Sequence, residues 1–234
     1  FAALSERVRR VAAALVARGV RPGDRVLGLC RLTATTVICQ LASLAIGAVW
    51  SSAAPDMGTE LLLARAGQLD PKVLFADATY PYHGTTKDNR ERIGGIVLSL
   101  PTLSRVVLLG PESGAIPDVG DVPVEPFGAL AESAPFEGPF PEMPFNHPLV
   151  ILFSSGTTGQ PKCIVHGAGG TLLEHLKEHR LHCDLGPGDR LLYHTTTGWM
   201  MFNWLVSGLA AGATIVLYDG SVSHPEPDAL LRRA

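Results

Sequence analysis

Residues 149–166 read LVILFSSGTTGQPKCIVH, and this stretch changes character twice. Residues 149–153 are an unbroken apolar run in which Val and Ile are enriched, which predicts a strand buried on both faces as in a parallel sheet. Small and hydroxylated residues follow up to Gly159, and residues 163–165 predict a second short strand. Pro161 and the β-prone residues behind it favour a hairpin here over the start of a helix.

The loop between these two strands has the composition of an anion-binding site. Its two glycines and four hydroxyl side chains allow the backbone N–H groups to point inward as a concave cluster of donors. Lys162 adds a positive charge at the end of the loop. An ordinary hairpin turn is the alternative interpretation. The predicted phosphate-binding residues are Ser154, Ser155, Gly156, Thr157, Thr158, Gly159 and Lys162.

The spacing excludes the Walker type of phosphate loop, which requires GxxxxGK[ST] with its lysine at the start of a helix. Here Gln160 and Pro161 separate the second glycine from Lys162, and Cys163 stands where the Walker loop has a hydroxyl side chain. We therefore expect a phosphate loop of another class.

Strands and helices alternate in the first third of the chain. Apolar periodicity predicts helices over 1–18, 33–46 and 59–68, and strands over 25–30, 48–52 and 72–76. This alternation predicts an α/β protein with mostly parallel sheets flanked by helices. Residues 96–100 and 106–109 fit either strands or helix fragments, and the polar residues 80–92 predict no element.

Residues 110–148 are rich in proline and acidic side chains and contain no Lys or Arg. Proline interrupts helices and has no backbone N–H to donate in a sheet, so we expect an extended surface connection here. A proline-rich ligand for a partner protein is the alternative, which the irregular spacing and the missing basic anchors disfavour.

The last part of the chain predicts a helix over 171–183, a strand over 191–195, a helix over 199–210 and a strand over 214–218. Residues 199–218 carry no charge and are long enough to cross a bilayer. Asn203, Ser207, Gly208 and Gly212 interrupt this stretch, however, and favour a buried helix followed by a strand.

The composition of the 234 residues narrows the functional classes. Hydrophobic residues make up 46% of the chain and charged residues 18%, which indicates a large buried core. The net charge of −3 shows none of the excess positive charge that is typical of nucleic-acid-binding proteins. No CxxC pair occurs, so Cys30, Cys39, Cys163 and Cys183 are interpreted as free buried thiols in a reducing compartment. Nothing suggests export, and we expect a cytoplasmic protein.

Three histidines, His175, His179 and His182, fall on one face of the predicted helix, which is a plausible geometry for metal ligands. The sequence lacks the HExxH layout, and the charged neighbours on this helix favour a solvated surface, so no metal site is predicted. His166, just past the hairpin, is a better candidate than these three for lining the site.

Residues 154–162, SSGTTGQPK, closely resemble the phosphate-loop signature of the adenylate-forming superfamily, which includes acyl-CoA synthetases, luciferases and peptide-synthetase adenylation domains. The segments CIVHGAGGTLLEHLKEH (163–179), GWMMFNWLVSGLAAGA (198–213) and LYDGS (217–221) resemble the acetoacetyl-CoA synthetases within it. GDRV (23–26), IGAVWSS (46–52) and DPKVLFAD (70–77) are similar to the same group. The resemblance touches most of the chain outside 78–145.

This resemblance implies an acid–thiol ligase. Acetoacetate and ATP would give an acyl-adenylate and pyrophosphate, and the thiol of CoA would then displace AMP. The phosphate loop, with Lys162 as its catalytic cation, would hold the β- and γ-phosphates, and Mg²⁺ would lie on the triphosphate. Gly198, Trp199 and Met200 would wall the acyl pocket; the alternative is that this aromatic-rich segment is simply buried core.

The resemblance also implies that residues 1–234 are part of a large N-terminal AMP-binding domain, with a C-terminal domain downstream and absent here. We therefore expect this chain alone to be inactive. Two alternatives stay open, namely an acetyl- or propionyl-CoA synthetase and a non-catalytic nucleotide-binding module. The expected partners are small molecules, with no nucleic acid and no membrane span.

Overall fold

The computed structural model describes residues 1–110, 116, 119–154, 159–222, 226, 228–230 and 232. Its strands within these residues are β1 (Arg25–Leu29), β2 (Val49–Ala53), β3 (Val73–Asp77), β4 (Thr79–Tyr82), β5 (Thr85–Asp88), β6 (Arg105–Leu109), β7 (Val124–Pro126), β8 (Pro148–Ser154), β9 (Lys162–Gly167), β10 (Arg190–Leu192) and β11 (Thr214–Val216). The α-helices are α1 (Ala2–Ala17), α2 (Ala34–Ala45), α3 (Thr59–Ala66), α4 (Arg90–Leu98), α5 (Phe127–Ala131), α6 (Ala168–Lys177) and α7 (Met200–Ser207). A π-helix (Glu178–His182) extends α6, and a 3₁₀-helix (Gly208–Ala211) extends α7.

Seven of these strands form one sheet in the order β7-β6-β3-β1-β2-β8-β9. All neighbouring pairs in this sheet are parallel except β8 and β9, which form an antiparallel hairpin. A parallel pair, β10 and β11, and an antiparallel pair, β4 and β5, lie apart from it. The predicted α/β class with mostly parallel strands is confirmed.

Helices cover both faces of the central strands. Successive side chains of a strand point to opposite faces, so Val26 of β1 packs in one core beneath α1 and α2, whereas Leu27 and Leu29 pack in a second core beneath α3 and α4. This double burial explains why β1 and β3 read as continuous apolar runs.

The helix and strand bounds predicted before residue 77 agree with the structure to within about two residues, the usual disagreement at element ends. The predicted start of the second helix at Thr33 is the N-cap, because the Thr33 hydroxyl accepts a hydrogen bond from the N–H of Thr36 (3.4 Å). Residues 80–92 differ from the prediction, since β4, β5 and the start of α4 lie there. His83 and Gly84 both have positive φ (45° and 77°), as a two-residue type I′ hairpin turn requires.

The predicted extended connection over 110–148 is wrong for residues 124–131. Strand β7 pairs in parallel with β6 at the edge of the sheet, where proline is tolerated, and α5 buries Leu130 completely. The guanidinium of Arg9 donates to the carbonyl oxygens of Phe136 (2.6 Å) and Gly138 (2.9 Å), which fixes the following residues against α1.

Two further expectations need correction. Only Val150 of the apolar run 149–153 is fully buried, because β9 is an edge strand and most of it is exposed. Cys30 and Cys39 are buried as expected, but Cys163 and Cys183 are exposed, and all four thiols are free. Within the part of the chain described, no helix combines the length and the apolar character needed to cross a membrane.

Candidate functional site

Strands β8 and β9 bring the two ends of the predicted phosphate loop together. Ser154 ends β8 and pairs across the ladder with Lys162, which begins β9. Gly159 has φ +118°, a conformation that residues with side chains rarely adopt. The hairpin predicted from Pro161 is therefore confirmed. Four residues of the predicted set lie outside the described residues, namely Ser155, Gly156, Thr157 and Thr158.

The base of this hairpin is fixed by Gln68, just beyond α3. Its Nε2 donates to the carbonyl oxygen of Pro161 (3.1 Å), and its Oε1 accepts from the thiol of Cys163 (3.4 Å). The sequence analysis missed Gln68, since its partners lie more than ninety positions along the chain and no local pattern marks the contact.

The charge at the hairpin is available to a ligand. The side chain of Lys162 is exposed, and it makes no ion pair with any residue in the described ranges. The Ser154 hydroxyl stands on the facing strand, where it can add a hydrogen bond to an anion. A cation and a hydroxyl at the mouth of a glycine-rich turn fit phosphate oxygens.

The hairpin opens at the edge of the sheet where α/β proteins bind ligands. Strand β8 runs parallel to β1, β2 and β3, so Ser154 lies at the same carboxyl edge as Leu29, Ala53 and Asp77. Chain connections leave β1 and β3 in opposite directions, and such a switch point leaves a crevice. A crevice of about 580 Å³ lies here, lined among others by Arg31, Asp56, Tyr80, His83, His194 and Asp219.

Two carboxylates and one guanidinium organise this crevice. Asp77 ends β3, is buried, and accepts the backbone N–H of Arg31 (2.8 Å). Burial raises the pKa of Asp77 to about 6, although the Arg31 N–H opposes the shift. The guanidinium of Arg31 pairs with Asp219 (2.6 Å), which ties the segment after β11 to the main sheet. The sequence analysis did not select these residues; a carboxylate ending the buried strand VLFAD was the available signal.

The turn before α7 is held against the same edge. The Ser52 hydroxyl donates to the carbonyl oxygen of Thr197 (2.7 Å), and the Thr197 hydroxyl donates to the carbonyl oxygen of Cys30 (2.7 Å). A Cβ atom on Gly198 would lie 3.4 Å from the Cα atom of Ala53, so Gly198 packs directly on the end of β2. The turn and the hairpin therefore lie at the same carboxyl edge of the sheet.

Beyond this turn, the aromatic segment is divided between surface and core. Trp199 is 69% exposed and Met200 43% exposed, whereas Phe202 is fully buried. Trp204 packs its ring on the imidazole of His179, with 4.4 Å between centroids. The interpretation as buried core holds for Phe202 and is wrong for Trp199, whose indole is accessible to a ligand.

A second groove, of about 700 Å³, lies between β9, α6 and α7. It brings together His166 and Met200, which the sequence analysis selected separately, with Tyr193 and Trp204 beside them. Gly198 and Trp199 lie outside its lining. His166, which lies in hairpin strand β9, therefore shares this groove with Met200, one of the predicted acyl-pocket residues.

The three predicted histidines do not share one environment. His175 and His179 are buried and His182 is exposed, so the expected solvated surface is wrong for the first two. Burial lowers the pKa of both buried imidazoles. In the described residues, no group of three or more His, Cys, Asp or Glu side chains has the arrangement of a metal site.

Known proteins resemble this chain over almost its whole length. It is 45% identical to the acetoacetyl-CoA synthetase of Mus musculus over an alignment of 239 positions that covers 98% of this chain and 35% of the relative. It is 43% identical to the malonamoyl-CoA synthetase of Penicillium aethiopicum, over 96% of this chain and 32% of the relative. A solved acetoacetyl-CoA synthetase from Streptomyces lividans superposes with a TM-score of 0.92 at 47% identity, over 99% of this chain and 35% of that one.

The chain thus spans about a third of the length of these relatives. A protein-family model described as "AMP-binding enzyme" matches residues 1–233, which include the hairpin, the crevice and the turn before α7. On this match, the chain belongs to the AMP-binding enzyme family.

Proposed function

We propose that this chain is part of the large N-terminal domain of an acetoacetate–CoA ligase. The full-length enzyme would convert acetoacetate, ATP and CoA to acetoacetyl-CoA, AMP and pyrophosphate. The observation that carries this proposal is the 45% identity to an acetoacetyl-CoA synthetase over nearly the entire chain. The exposed ammonium group of Lys162 at the hairpin supports the proposal as well, because a cation there can bind the phosphates of ATP.

In the first step, a carboxylate oxygen of acetoacetate attacks the α-phosphorus of ATP, and the bond to the pyrophosphate leaving group breaks. Negative charge grows on that leaving group, so a cation and donors fixed beside it stabilise the transition state more than the ground state. Magnesium, when bound, neutralises further charge on the phosphate oxygens. The residues proposed to hold the β- and γ-phosphates are Ser154, Ser155, Gly156, Thr157, Thr158, Gly159 and Lys162.

The acyl end of the site is proposed to be the turn Gly198, Trp199 and Met200. The exposed indole of Trp199 offers a flat apolar face, and the flexible thioether of Met200 can adapt to a short acyl chain. In the second step the sulfur of CoA attacks the carbonyl carbon of the acyl-adenylate, and AMP leaves. CoA is thus a second substrate.

The acyl group is proposed to carry a carbonyl at C3. Acetoacetyl and malonamoyl groups, the groups in the two relatives' names, share this carbonyl and differ only in a terminal methyl or amino group. Malonamate is therefore the second candidate substrate. Acetoacetate is favoured by the higher identity and by the solved structure that bears this name.

Pyrophosphate release by the full-length protein tests this assignment. We expect the kcat/KM for acetoacetate to exceed that for butyrate, which has the same chain length without the C3 carbonyl, by about a hundredfold. Malonamate, acetate and propionate complete the panel. A maximum at acetate or propionate would support the competing synthetase, and the absence of any carboxylate-dependent release would support a non-catalytic nucleotide-binding module.

A cytoplasmic location and a purely small-molecule set of partners belong to the same proposal. Cys30 and Cys39 are buried free thiols, which a reducing compartment preserves. Fractionation of cells that express the tagged full-length protein tests the location; recovery from the medium or the membrane pellet would contradict it.

A further inference from the structure

A chain of hydrogen bonds, partly buried at Ser52 and buried at Thr197, joins the indole of Trp50 to the turn before α7. Trp50 Nε1–H donates to Ser52 Oγ (2.9 Å), and the Ser52 hydroxyl donates to the carbonyl oxygen of Thr197 (2.7 Å). The Thr197 hydroxyl donates in turn to the carbonyl oxygen of Cys30 (2.7 Å). We call Trp50, Ser52 and Thr197 the Ser52 bridge.

The geometry of the Ser52 bridge is fixed from the sheet side. A Cβ atom on Gly28 would lie 2.7 Å from the indole of Trp50, so the ring occupies the space that glycine leaves free. Trp50 is 1% exposed, and its ring centroid lies 6.2 Å from the ring centroid of Phe75. With the indole immobilised, its N–H engages one lone pair of Ser52 Oγ, and the Ser52 proton goes to Thr197.

Thr197 is held twice, once through its carbonyl oxygen and once through its hydroxyl, and it is 1% exposed. Gly198 follows and packs on Ala53, and Trp199 comes next with an exposed indole. The two bonds to Thr197 therefore determine where Trp199 leaves the carboxyl edge of the sheet.

We propose that Ser52 and Thr197 are positioning residues that set the affinity of the acyl end of the site. This inference rests on the proposed function, because it takes Gly198, Trp199 and Met200 as the acyl pocket. The Ser52 hydroxyl lies behind the turn and acts through Thr197. Ser51, the preceding residue, donates instead to the carbonyl oxygen of Ile151 in β8 (2.8 Å), so the support of the phosphate hairpin is separate.

The test uses the full-length enzyme and the carboxylate that the wild type turns over best. Ser52→Ala removes both hydrogen bonds of the Ser52 hydroxyl, the one from Trp50 and the one to Thr197. Thr197→Val removes the bond to Cys30 and keeps the shape of the side chain. Each is expected to raise the KM for the carboxylate about tenfold and to leave the KM for ATP within about twofold of wild type, since Thr197 loses one of its two hydrogen bonds in each variant. Thr197→Ser keeps the hydroxyl and should restore a KM near that of the wild type.

Ser43→Ala is the matched control. Ser43 is fully buried, as Thr197 is, and its hydroxyl donates to a backbone carbonyl oxygen (Cys39, 2.8 Å), but this bond lies within α2. Its loss should leave both KM values unchanged. If Ser52→Ala proves unstable by thermal melting, the comparison of Thr197→Val with Thr197→Ser decides the matter.

Three results would overturn the inference. Ser52→Ala and Thr197→Val could match Ser43→Ala in the KM for the carboxylate, they could raise both KM values alike, or Thr197→Ser could fail to restore the carboxylate KM. A wild-type enzyme without any carboxylate-dependent turnover would overturn the proposed function as well, so the two failures are distinguishable.

Discussion

Gly28 lies in β1 beneath the indole of Trp50, and a Cβ atom at this position would lie 2.7 Å from the ring. The indole carries the N–H that begins the Ser52 bridge, so the space above Gly28 affects both the packing of the core and the position of the turn before α7. Cores as dense as organic crystals cannot absorb such a clash without movement of the neighbouring groups.

We predict that Gly28→Ala lowers the free energy of unfolding by about 1–3 kcal/mol, because the added methyl group displaces a fully buried ring. Urea unfolding followed by tryptophan fluorescence measures the change. Gly95→Ala is the control, since nothing lies within 4 Å of a Cβ atom there and α4 gains helix propensity. A loss of the same size in both variants would contradict the packing argument.

Among single residues, the sequence predicts those whose role is local and misses those whose partners are distant. Lys162 and Gly159 stand out within nine residues of sequence. Ser52 contacts Thr197 at a separation of 145 positions, and Arg31 contacts Asp219 at a separation of 188, so only the folded chain reveals them. The backbone conformation and the charge of a residue follow from its local sequence. The contacts that support a site instead join segments that lie far apart in the chain.

Helix α7 is held by polar contacts from two other helical segments. Gln40 of α2 donates through Nε2 to Asn203 Oδ1 (2.7 Å), and both side chains are buried. Nε2 of His179, in the π-helix, lies 3.0 Å from the carbonyl oxygen of Trp204, so its N–H donates there. Nδ1 of His179 is buried and has no partner among the described residues. A second proton on this imidazole would therefore be unsatisfied.

This packing predicts a loss of stability in mild acid. Burial lowers the pKa of His175 and His179, so the folded state binds fewer protons than the unfolded state, in which histidine titrates near pH 6.5. The contribution of the two neutral imidazoles to the free energy of unfolding is complete above about pH 6.5. It is lost as the pH falls through their pKa values in the folded state. Asp77 has the opposite sign: its pKa is raised to about 6, and its contribution is lost as the pH rises from about 4 to 6.

Thermal melting between pH 7.5 and 5 should show a smaller decrease in Tm for His179→Gln than for the wild type. Glutamine can still donate to the carbonyl oxygen of Trp204 but gains no charge. His182→Gln, at an exposed position of the same π-helix, is expected to retain the wild-type slope. If His179→Gln and the wild type had the same slope, His179 would not be the group that titrates.

Elements are predicted well where local preference and tertiary packing agree. The helix predicted from residue 171 begins at Ala168 instead, because Gly169 is used inside the helix for close packing. A Cβ atom there would lie 2.2 Å from the ring of Phe145. Glycine disfavours helix interiors, so propensity alone places the start too late. Strand β7 was missed for a related reason, since an edge strand tolerates the prolines that argued against it.

For the whole molecule, the alternation of strands and helices is enough to predict the α/β class. Parallel pairing then brings the hairpin, the crevice and the turn before α7 to one edge of the sheet. Which residues line that edge depends on strand order, which the sequence alone does not state. The chain spans about a third of the length of its relatives. The expectation that this chain alone is inactive stays a prediction.

The exchange of labelled pyrophosphate into ATP by the full-length enzyme isolates the adenylation step on which the whole proposal depends. We predict that exchange requires acetoacetate and that Lys162→Ala lowers its rate about a hundredfold, with the melting temperature unchanged, because the charge opposite the leaving group is lost. Exchange at the wild-type rate in Lys162→Ala, or exchange that does not require a carboxylate, would contradict the assignment of the hairpin as the phosphate site.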